Sequence, residues 1–138
     1  MKHVLPLTYQ PKVQQVIRGE ITRTIRPLKK RIIRPGDEIL FHGWSGVPYR
    51  SKWSWRLRVT VEKVEQIKID VEKGIFRKGE WYGWSSIEAQ RVAISDGFRT
   101  PGGEYWRATM DFAALIYLTY GKVRDMDFVI IDWRPPLK

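Results

Sequence analysis

The side chains with the clearest chemical potential are basic, and they are concentrated near the N-terminus. Residues 12–34 contain a single acid, Glu20, and carry +7 of the formal net charge of +10. Clustered cations attract phosphate groups, and a guanidinium binds phosphate oxygens through parallel N–H donors. The run therefore predicts a nucleic-acid partner, and its basic residues are Lys12, Arg18, Arg23, Arg26, Lys29, Lys30, Arg31 and Arg34.

A second, smaller basic group is interleaved with aromatic residues. It consists of Arg50, Lys52, Arg56 and Arg58, with Tyr49, Trp53 and Trp55 between and beside them. Rings beside cations suit stacked bases beside phosphates. The competing interpretation is a charged, solvated face that keeps the protein soluble. We favour nucleic acid over solubility alone, because the aromatic residues accompany the charge.

Several classes of chemistry are excluded by composition. The sequence has no Cys and only two His, His3 and His42, which lie far apart without ligand spacing. A disulfide framework, a thiolate metal site and a Cys nucleophile are therefore excluded, and we expect neither a metal nor a cofactor. A length of 138 residues fits one domain spanning 1–138. The apolar runs are too short for a signal peptide or a membrane span, which predicts a cytoplasmic protein with no membrane partner.

The hydrophobic periodicity predicts the elements that must position these side chains. A short helix is expected over 11–18, ended by Gly19, followed by an extended segment over 21–26 that places Thr24 and Arg26 on one face. A buried strand is expected around 39–41 and an alternating strand over 53–61. Glu62-Lys63 then predicts a bulge, with a further strand over 64–71.

The second half of the chain is predicted to be mainly helical. Residues 74–83 are expected to form a loop, and Ser85-Ser86-Ile87-Glu88 predicts a capped helix over 86–95. A helix over 104–119, with Met110 and Tyr117 in its apolar face, is expected to be largely buried. A strand over 128–133 ends the pattern. This order favours an α+β fold, a mixed sheet or small barrel with flanking helices.

The seven tryptophans divide by context. Trp106 and Trp133 are predicted to be core residues, as are Trp53 and Trp55 on the apolar face of their strand. The other three lie in loops beside Gly or turn residues, where a large exposed ring is costly unless it binds something. We therefore expect these three to stack on a ligand: Trp44, Trp81 and Trp84.

Taken together, several motifs resemble the ASCH family, within the PUA-like superfamily. The most specific is the run Gly19-x-x-Thr22-x-Thr24-x-Arg26, followed by Pro35-Gly36-Asp37 and later by Asp96-Gly97-Phe98, and the resemblance covers most of the chain. It implies a small PUA-like β-barrel with flanking helices and a ligand cleft at the mouth of the barrel.

The resemblance also implies two activities. Family members are similar to RNA-binding PUA domains, and one branch consists of small amidohydrolases that act on acetylcytidine with a Lys, a Thr and a Glu. The Thr matches Thr24 and the carboxylate matches Asp96, but Ile21 occupies the position of the Lys. An Ile is neither a proton acceptor nor a cation. Lys12 or Arg23 could substitute for the Lys in space, although nothing in the sequence shows it.

The sequence accordingly favours binding over catalysis. The predicted function is an RNA-binding module with a nucleotide-sized cleft near Arg26 and Asp96, which could bind a nucleoside. The alternatives are a hydrolase acting through Thr24 and Asp96 on a modified nucleoside or on RNA, and a protein-interaction domain. Structural roles also stay open: Asp96 could be a turn residue, Thr24 a plain strand residue, and Arg26 the partner of Asp37.

Overall fold

The chain folds as a seven-stranded mixed sheet with three helices, as seen in a computed structural model that describes residues 1–7, 10–45, 50–96 and 108–134. This confirms the predicted α+β class. In chain order the elements are β1 (Lys2–Pro6), α1 (Gln10–Ile17), β2 (Arg23–Pro27), β3 (Glu38–Trp44), β4 (Trp53–Asp70), β5 (Gly74–Arg77), β6 (Glu80–Tyr82), α2 (Ile87–Ser95), α3 (Ala108–Tyr120) and β7 (Met126–Trp133).

Strand β4 organises the sheet because it is 18 residues long and pairs with several neighbours. Its first half is antiparallel to β3, its second half is antiparallel to β7, and its end also pairs with β5. The register against β7 shifts between Val61 and Lys63. The bulge predicted at Glu62-Lys63 is therefore confirmed, although the two strands predicted on either side of it are one continuous strand.

The sheet is not closed into a barrel, so that part of the predicted architecture is wrong. Within the described ranges, strand β1 pairs with β3 alone, in parallel, and β2 pairs with β7 alone. Each of these two edge strands ends in a proline, Pro6 or Pro27, which has no N–H to donate to a ladder. In place of a ladder, the side chain of Arg26 crosses from β2 to β1, where Nη2 donates to the carbonyl oxygen of Pro6.

Both faces of the sheet are covered around the central strand β7, whose side chains are apolar on both sides. Phe128 and Ile130 pack with α2 and α3, whereas Ile131 and Trp133 pack with α1 and β3. Burial on both faces explains why the run 128–131 is continuously apolar rather than alternating. The two helical layers bring the end of α2 and the start of α1 to the same region beside β2.

The first two helices match their predictions, and the third does so only in part. Ser86 caps α2 by accepting a hydrogen bond from the backbone N–H of Ala89. In α3, Phe112 is buried but Met110 and Tyr117 are 64% and 46% exposed, so the prediction of a largely buried helix is wrong. The helix packs through one face only, although its sequence is apolar all round. Residues 97–107, which include Gly97, Phe98 and Trp106, lie outside the described residues.

The segment 74–83 contains the hairpin of β5 and β6, so the loop predicted there is wrong. Lys78 and Gly79 form the turn of the hairpin, and both have positive φ, 53° and 83°. The strands are only four and three residues long, which explains why no periodic signal marks them. Separately, no helix within the described ranges is both long enough and apolar enough to cross a membrane.

Candidate active site

Three polar side chains from three different elements meet beneath the open edge of the sheet. Lys12 is carried by α1, Thr24 by β2, and Asp96 caps the C-terminus of α2. Lys12 Nζ donates to Thr24 Oγ1 at 3.2 Å and also to Asp96 Oδ1. The three residues are only 4%, 2% and 6% exposed, respectively. Buried polar groups of this kind are costly to bring together unless they pair, and here they pair with one another.

The local sequence explains how each side chain reaches this point. Thr24 and Arg26 are two positions apart on β2, so they share a face, as predicted, and both line the same pocket. Gly19 ends α1 with a φ of +77°, and the chain then returns to begin β2 beside the helix. The backbone N–H of Asp96 bonds to the carbonyls of Val92 and Ala93. Asp96 is thus a turn residue in its backbone and a site residue in its side chain.

Burial moves the pKa values of the charged pair toward each other. The pKa of Lys12 is lowered, chiefly by burial, and Asp96 only partly opposes that effect. The pKa of Asp96 is raised, again chiefly by burial and against the attraction of Lys12. Both shifts favour the neutral pair, in which Asp96 holds the proton and Lys12 has a free lone pair. The nearby charge of Arg26 further lowers the pKa of Lys12.

The cluster forms part of the wall of a pocket of about 350 Å³. This volume lies at the lower end of the range of roughly 300–1,000 Å³ that is common for small-molecule sites. Besides the three polar residues and Arg26, its walls include Leu7, Leu115 and Tyr120. Burial raises the pKa of the Tyr120 hydroxyl, which keeps it protonated as a donor. The pocket therefore combines an apolar wall with one amine, one carboxyl group, one guanidinium and the three hydroxyls of Thr24, Thr119 and Tyr120.

The amine beside Thr24 and Asp96 comes from α1 and not from the position of Ile21. Ile21, at the motif position of the Lys, is 4% exposed and belongs to the apolar core. Lys12, carried by α1, contacts both Thr24 and Asp96, an arrangement that sequence analysis did not establish. A signal was nevertheless present, because Lys12 precedes Val16 by four residues and so shares its buried helical face. A Lys on such a face needs a partner, and Asp96 provides it.

The remaining cations of the basic run are distributed over the molecule. Arg23 does not enter the cluster; its guanidinium binds both carboxylate oxygens of Asp132, at 2.6 and 3.2 Å, and the hydroxyl of Ser95. Arg18 pairs with Glu20 at 3.3 Å. The exposed side chains of the run are Arg18, Lys29, Lys30, Arg31 and Arg34, and Arg56 and Arg58 on β4 are exposed as well.

The predicted stacking residues occupy different environments. Trp84 Nε1 donates to the carbonyl of Val71, and its ring packs edge-on against Phe112. Trp81 lies on β6 against Phe76, and Trp44 meets His42 edge-on. Trp53, which was expected in the core, is 36% exposed.

Trp53 stacks on His42 with 3.9 Å between ring centroids, and the Arg56 guanidinium lies 5.0 Å from the centre of its ring. The ring therefore lies at the surface between a cation and a buried imidazole, although the alternation of β4 predicted Trp53 to be a core residue.

No group of three or more His, Asp or Glu side chains within the described residues is arranged to hold a metal ion. The polar groups of the candidate site are an amine, hydroxyls, a carboxyl group and a guanidinium.

Comparison with known proteins supports the fold. No protein-family model matches the sequence, and no curated protein matches it significantly. Among solved structures, hypothetical protein PH0355 aligns with a TM-score of 0.57 at 17% identity over 99% of this chain and 100% of its own. An ASCH domain from Lactobacillus crispatus JV V101 aligns with a TM-score of 0.51 at 13% identity, over 96% of this chain and 78% of its own. The fold is thus ASCH-like.

Proposed function

We propose that this protein is an amidohydrolase that cleaves the acyl group from a small N-acylated amine. The observation that carries the proposal is the contact of 3.2 Å between Lys12 Nζ and Thr24 Oγ1 in a buried pocket. A Thr hydroxyl is a poor nucleophile at neutral pH unless a base takes its proton. A buried Lys of lowered pKa is such a base, and this one already touches the hydroxyl.

In the proposed reaction Thr24 is the nucleophile and Lys12 is the general base. The hydroxyl gives its proton to Lys12 as Oγ1 bonds to the acyl carbon, and the positive charge of Arg26 stabilises the oxyanion. The lysine ammonium then protonates the leaving nitrogen, the C–N bond breaks, and the amine departs. Water then gives a proton to Lys12 and attacks the acyl-threonine ester. The ester C–O bond breaks, the lysine ammonium protonates Thr24 Oγ1, and a carboxylic acid leaves.

Asp96 acts as a positioning residue in this scheme. Its carboxyl group holds Lys12 Nζ in place through a direct hydrogen bond. Because burial raises the pKa of Asp96, this carboxyl group can also accept the proton that Lys12 must lose before Lys12 acts as a base, and can return it afterwards. This is a chemical reason for a carboxyl group at the site, in addition to its role in balancing the buried charge.

The substrate class that we propose is an acylated nucleoside such as acetylcytidine. The resemblance to the family branch that uses Lys, Thr and Glu supports this choice, because Lys12 brings an amine beside Thr24 and Asp96. The pocket volume of about 350 Å³ is suited to a nucleoside rather than to a folded polymer. Arg26 and the Tyr120 hydroxyl are hydrogen-bond donors on the pocket wall that could face base or ribose oxygens.

The decisive experiment is an assay of cytidine release from N4-acetylcytidine by chromatography. Thr24→Val keeps the shape of the side chain and removes the hydroxyl, so we expect kcat to fall by about 10²–10⁴. Thr24→Ser should retain measurable turnover. Thr109→Ala is the matched control, because Thr109 is also buried but does not line the pocket. Equal activity in Thr24→Val and the wild type would refute the proposed nucleophile.

A second function, RNA binding, is supported by a separate observation on β4. There the exposed cation Arg56 lies over the exposed Trp53 ring, and the exposed Arg58 follows two positions along the same strand, which combines phosphate attraction with a stacking surface. The test is the affinity for a short single-stranded RNA as a function of salt. Changing Arg56 and Arg58 together to Glu should weaken binding at least tenfold and flatten the salt dependence. The matched control is Lys63→Glu/Lys68→Glu, which alters two exposed cations of the same strand.

A further inference from the structure

A second cavity lies on the other side of Arg26 from the candidate active site. Its volume is about 460 Å³, and it is bounded by β1, the end of β2, and the segment 28–33 that leads away from β2. Among the described residues, Arg26 is the only one that lines both cavities. The wall is mainly apolar and includes Leu5, Leu28, Ile32, Ile33, Val64 and Val129.

The wall includes apolar side chains that remain open to solvent. Val4 is 54% exposed, Ile32 is 52% exposed and Leu28 is 39% exposed, and all three line this one cavity. Single exposed apolar residues need no explanation, but a contiguous group around a concave surface indicates a ligand site. The first requirement of the ligand is therefore an apolar body.

The charge of the lining residues gives the second requirement. Arg26, Lys29 and Arg31 line the cavity, and no carboxylate among the described residues does. Arg31 Nη2 donates to the carbonyl of Lys2, and within the described ranges neither Lys29 nor Arg31 forms an ion pair. The nearby acid Asp37 already binds His3 Nε2 at 2.9 Å and the backbone N–H of Arg34 at 3.0 Å. An anionic group is thus the complement of this wall.

We propose that this cavity binds an amphipathic carboxylate, such as a medium-chain fatty acid. The hydrocarbon chain lies between β1 and the segment 28–33, against Leu5, Val64 and Val129. The carboxylate lies between Lys29 and Arg31. The site is separate from the Lys12–Thr24–Asp96 cluster, so its occupancy does not depend on the hydrolase activity proposed above.

Calorimetric titration with octanoate tests the proposal, with 1-octanol as the neutral probe of the same chain length. We expect saturable one-to-one binding of octanoate with a Kd on the order of 0.1–1 mM, the affinity available to about ten heavy atoms. Octanol should bind at least tenfold more weakly. The absence of saturable octanoate binding, or equal binding of the two probes, would overturn the proposal.

Three variants locate the site, and all change exposed side chains, so folding is retained. Lys29→Glu/Arg31→Glu and Ile32→Glu should each weaken octanoate binding at least tenfold. The matched charge control, Lys63→Glu/Lys68→Glu, should leave the Kd within twofold. Methyl NMR adds a positional readout: octanoate should shift Leu5, Val64 and Val129. Shifts confined to Leu7, Ile25 and Leu115 would place the ligand in the other pocket and overturn the assignment.

Discussion

Lys12 Nζ lies 3.2 Å from Thr24 Oγ1, although the two residues are 12 positions apart and belong to different elements. The contact is buried, and Lys12 makes a second hydrogen bond to Asp96, which is 84 positions away. The helix α1, the edge strand β2 and the end of α2 are therefore linked through a single amine. We expect the Lys12 contacts to affect both the stability of the fold and the proposed catalysis, and experiments can separate the two effects.

The first prediction concerns the free energy of unfolding. Lys12→Met leaves the buried carboxyl group of Asp96 without its hydrogen-bond partner, which we expect to destabilise the fold by about 1–3 kcal/mol. Lys12→Met/Asp96→Leu removes both polar groups and should recover most of that loss, because neither is left buried without a partner. Urea denaturation at neutral pH measures both values.

The control for this prediction is the exposed ion pair of Arg18 and Glu20. Arg18→Met should change the free energy of unfolding by less than about 1 kcal/mol, since solvent screens the pair. If Lys12→Met lowered the free energy of unfolding no more than Arg18→Met, the Lys12 contact would not stabilise the fold.

The second prediction concerns the pH dependence of hydrolysis. In the proposed mechanism Lys12 acts as a base only when it is neutral, so kcat/KM should rise with pH through the pKa of Lys12 and fall as pH drops below it. Burial lowers that pKa from its ordinary value of 10.5, so the rising limb should lie well below pH 10.5. Initial rates on N4-acetylcytidine between about pH 5 and 10 give the profile.

Two variants test whether the rising limb of the pH profile reports the titration of Lys12. Thr24→Ser should reduce the rate but keep the limb at the same pH, because Lys12 is unchanged. Lys12→Met should abolish the limb together with most of the activity. A limb at the same position in Lys12→Met would identify some other group as the base.

Much of the fold could be predicted from sequence where the signals are local. Ser86 caps α2 through a bond to a residue three positions on, and Glu62-Lys63 marks the bulge in β4 because the alternation fails there. These features depend on neighbours within one element. The open edge of the sheet could not be predicted in this way, because it depends on which strands β1 and β2 meet after folding.

The candidate site was predictable only in part for the same reason. Thr24 and Arg26 share a face through the period of two in β2, and the family motif marks both Thr24 and Asp96. Lys12 joins them only because α1 packs against the sheet, a long-range contact with no periodic signature. At the motif position of the Lys the chain has Ile21, so the motif alone does not point to Lys12 as the amine beside Thr24.

The third prediction compares two glycines in the β5–β6 hairpin. Gly74 has a φ of +114°, and a Cβ there would lie 2.1 Å from the carbonyl oxygen of Tyr82. Gly79 has a φ of +83°, and a Cβ there would have no atom within 4 Å. Gly79→Ala should therefore cost about 1–2 kcal/mol of backbone strain, and Gly74→Ala should cost about 3 kcal/mol or more, because a clash is added. Equal costs in thermal unfolding would contradict the contact with Tyr82.

The last prediction concerns acid stability and the residue Asp37. Its pKa is lowered from 3.8 to about 2, first by the hydrogen bond from His3 and then by the backbone N–H of Arg34. Because the folded pKa lies below the unfolded value, the stability that Asp37 contributes is present above pH 3.8 and is lost as pH falls toward 2. Asp37→Asn should therefore flatten the pH dependence of the unfolding free energy in this window, and His3→Gln should flatten it in part. Urea titrations between about pH 2 and 5 measure the slope, and a slope in Asp37→Asn equal to that of the wild type would show that another carboxylate is responsible.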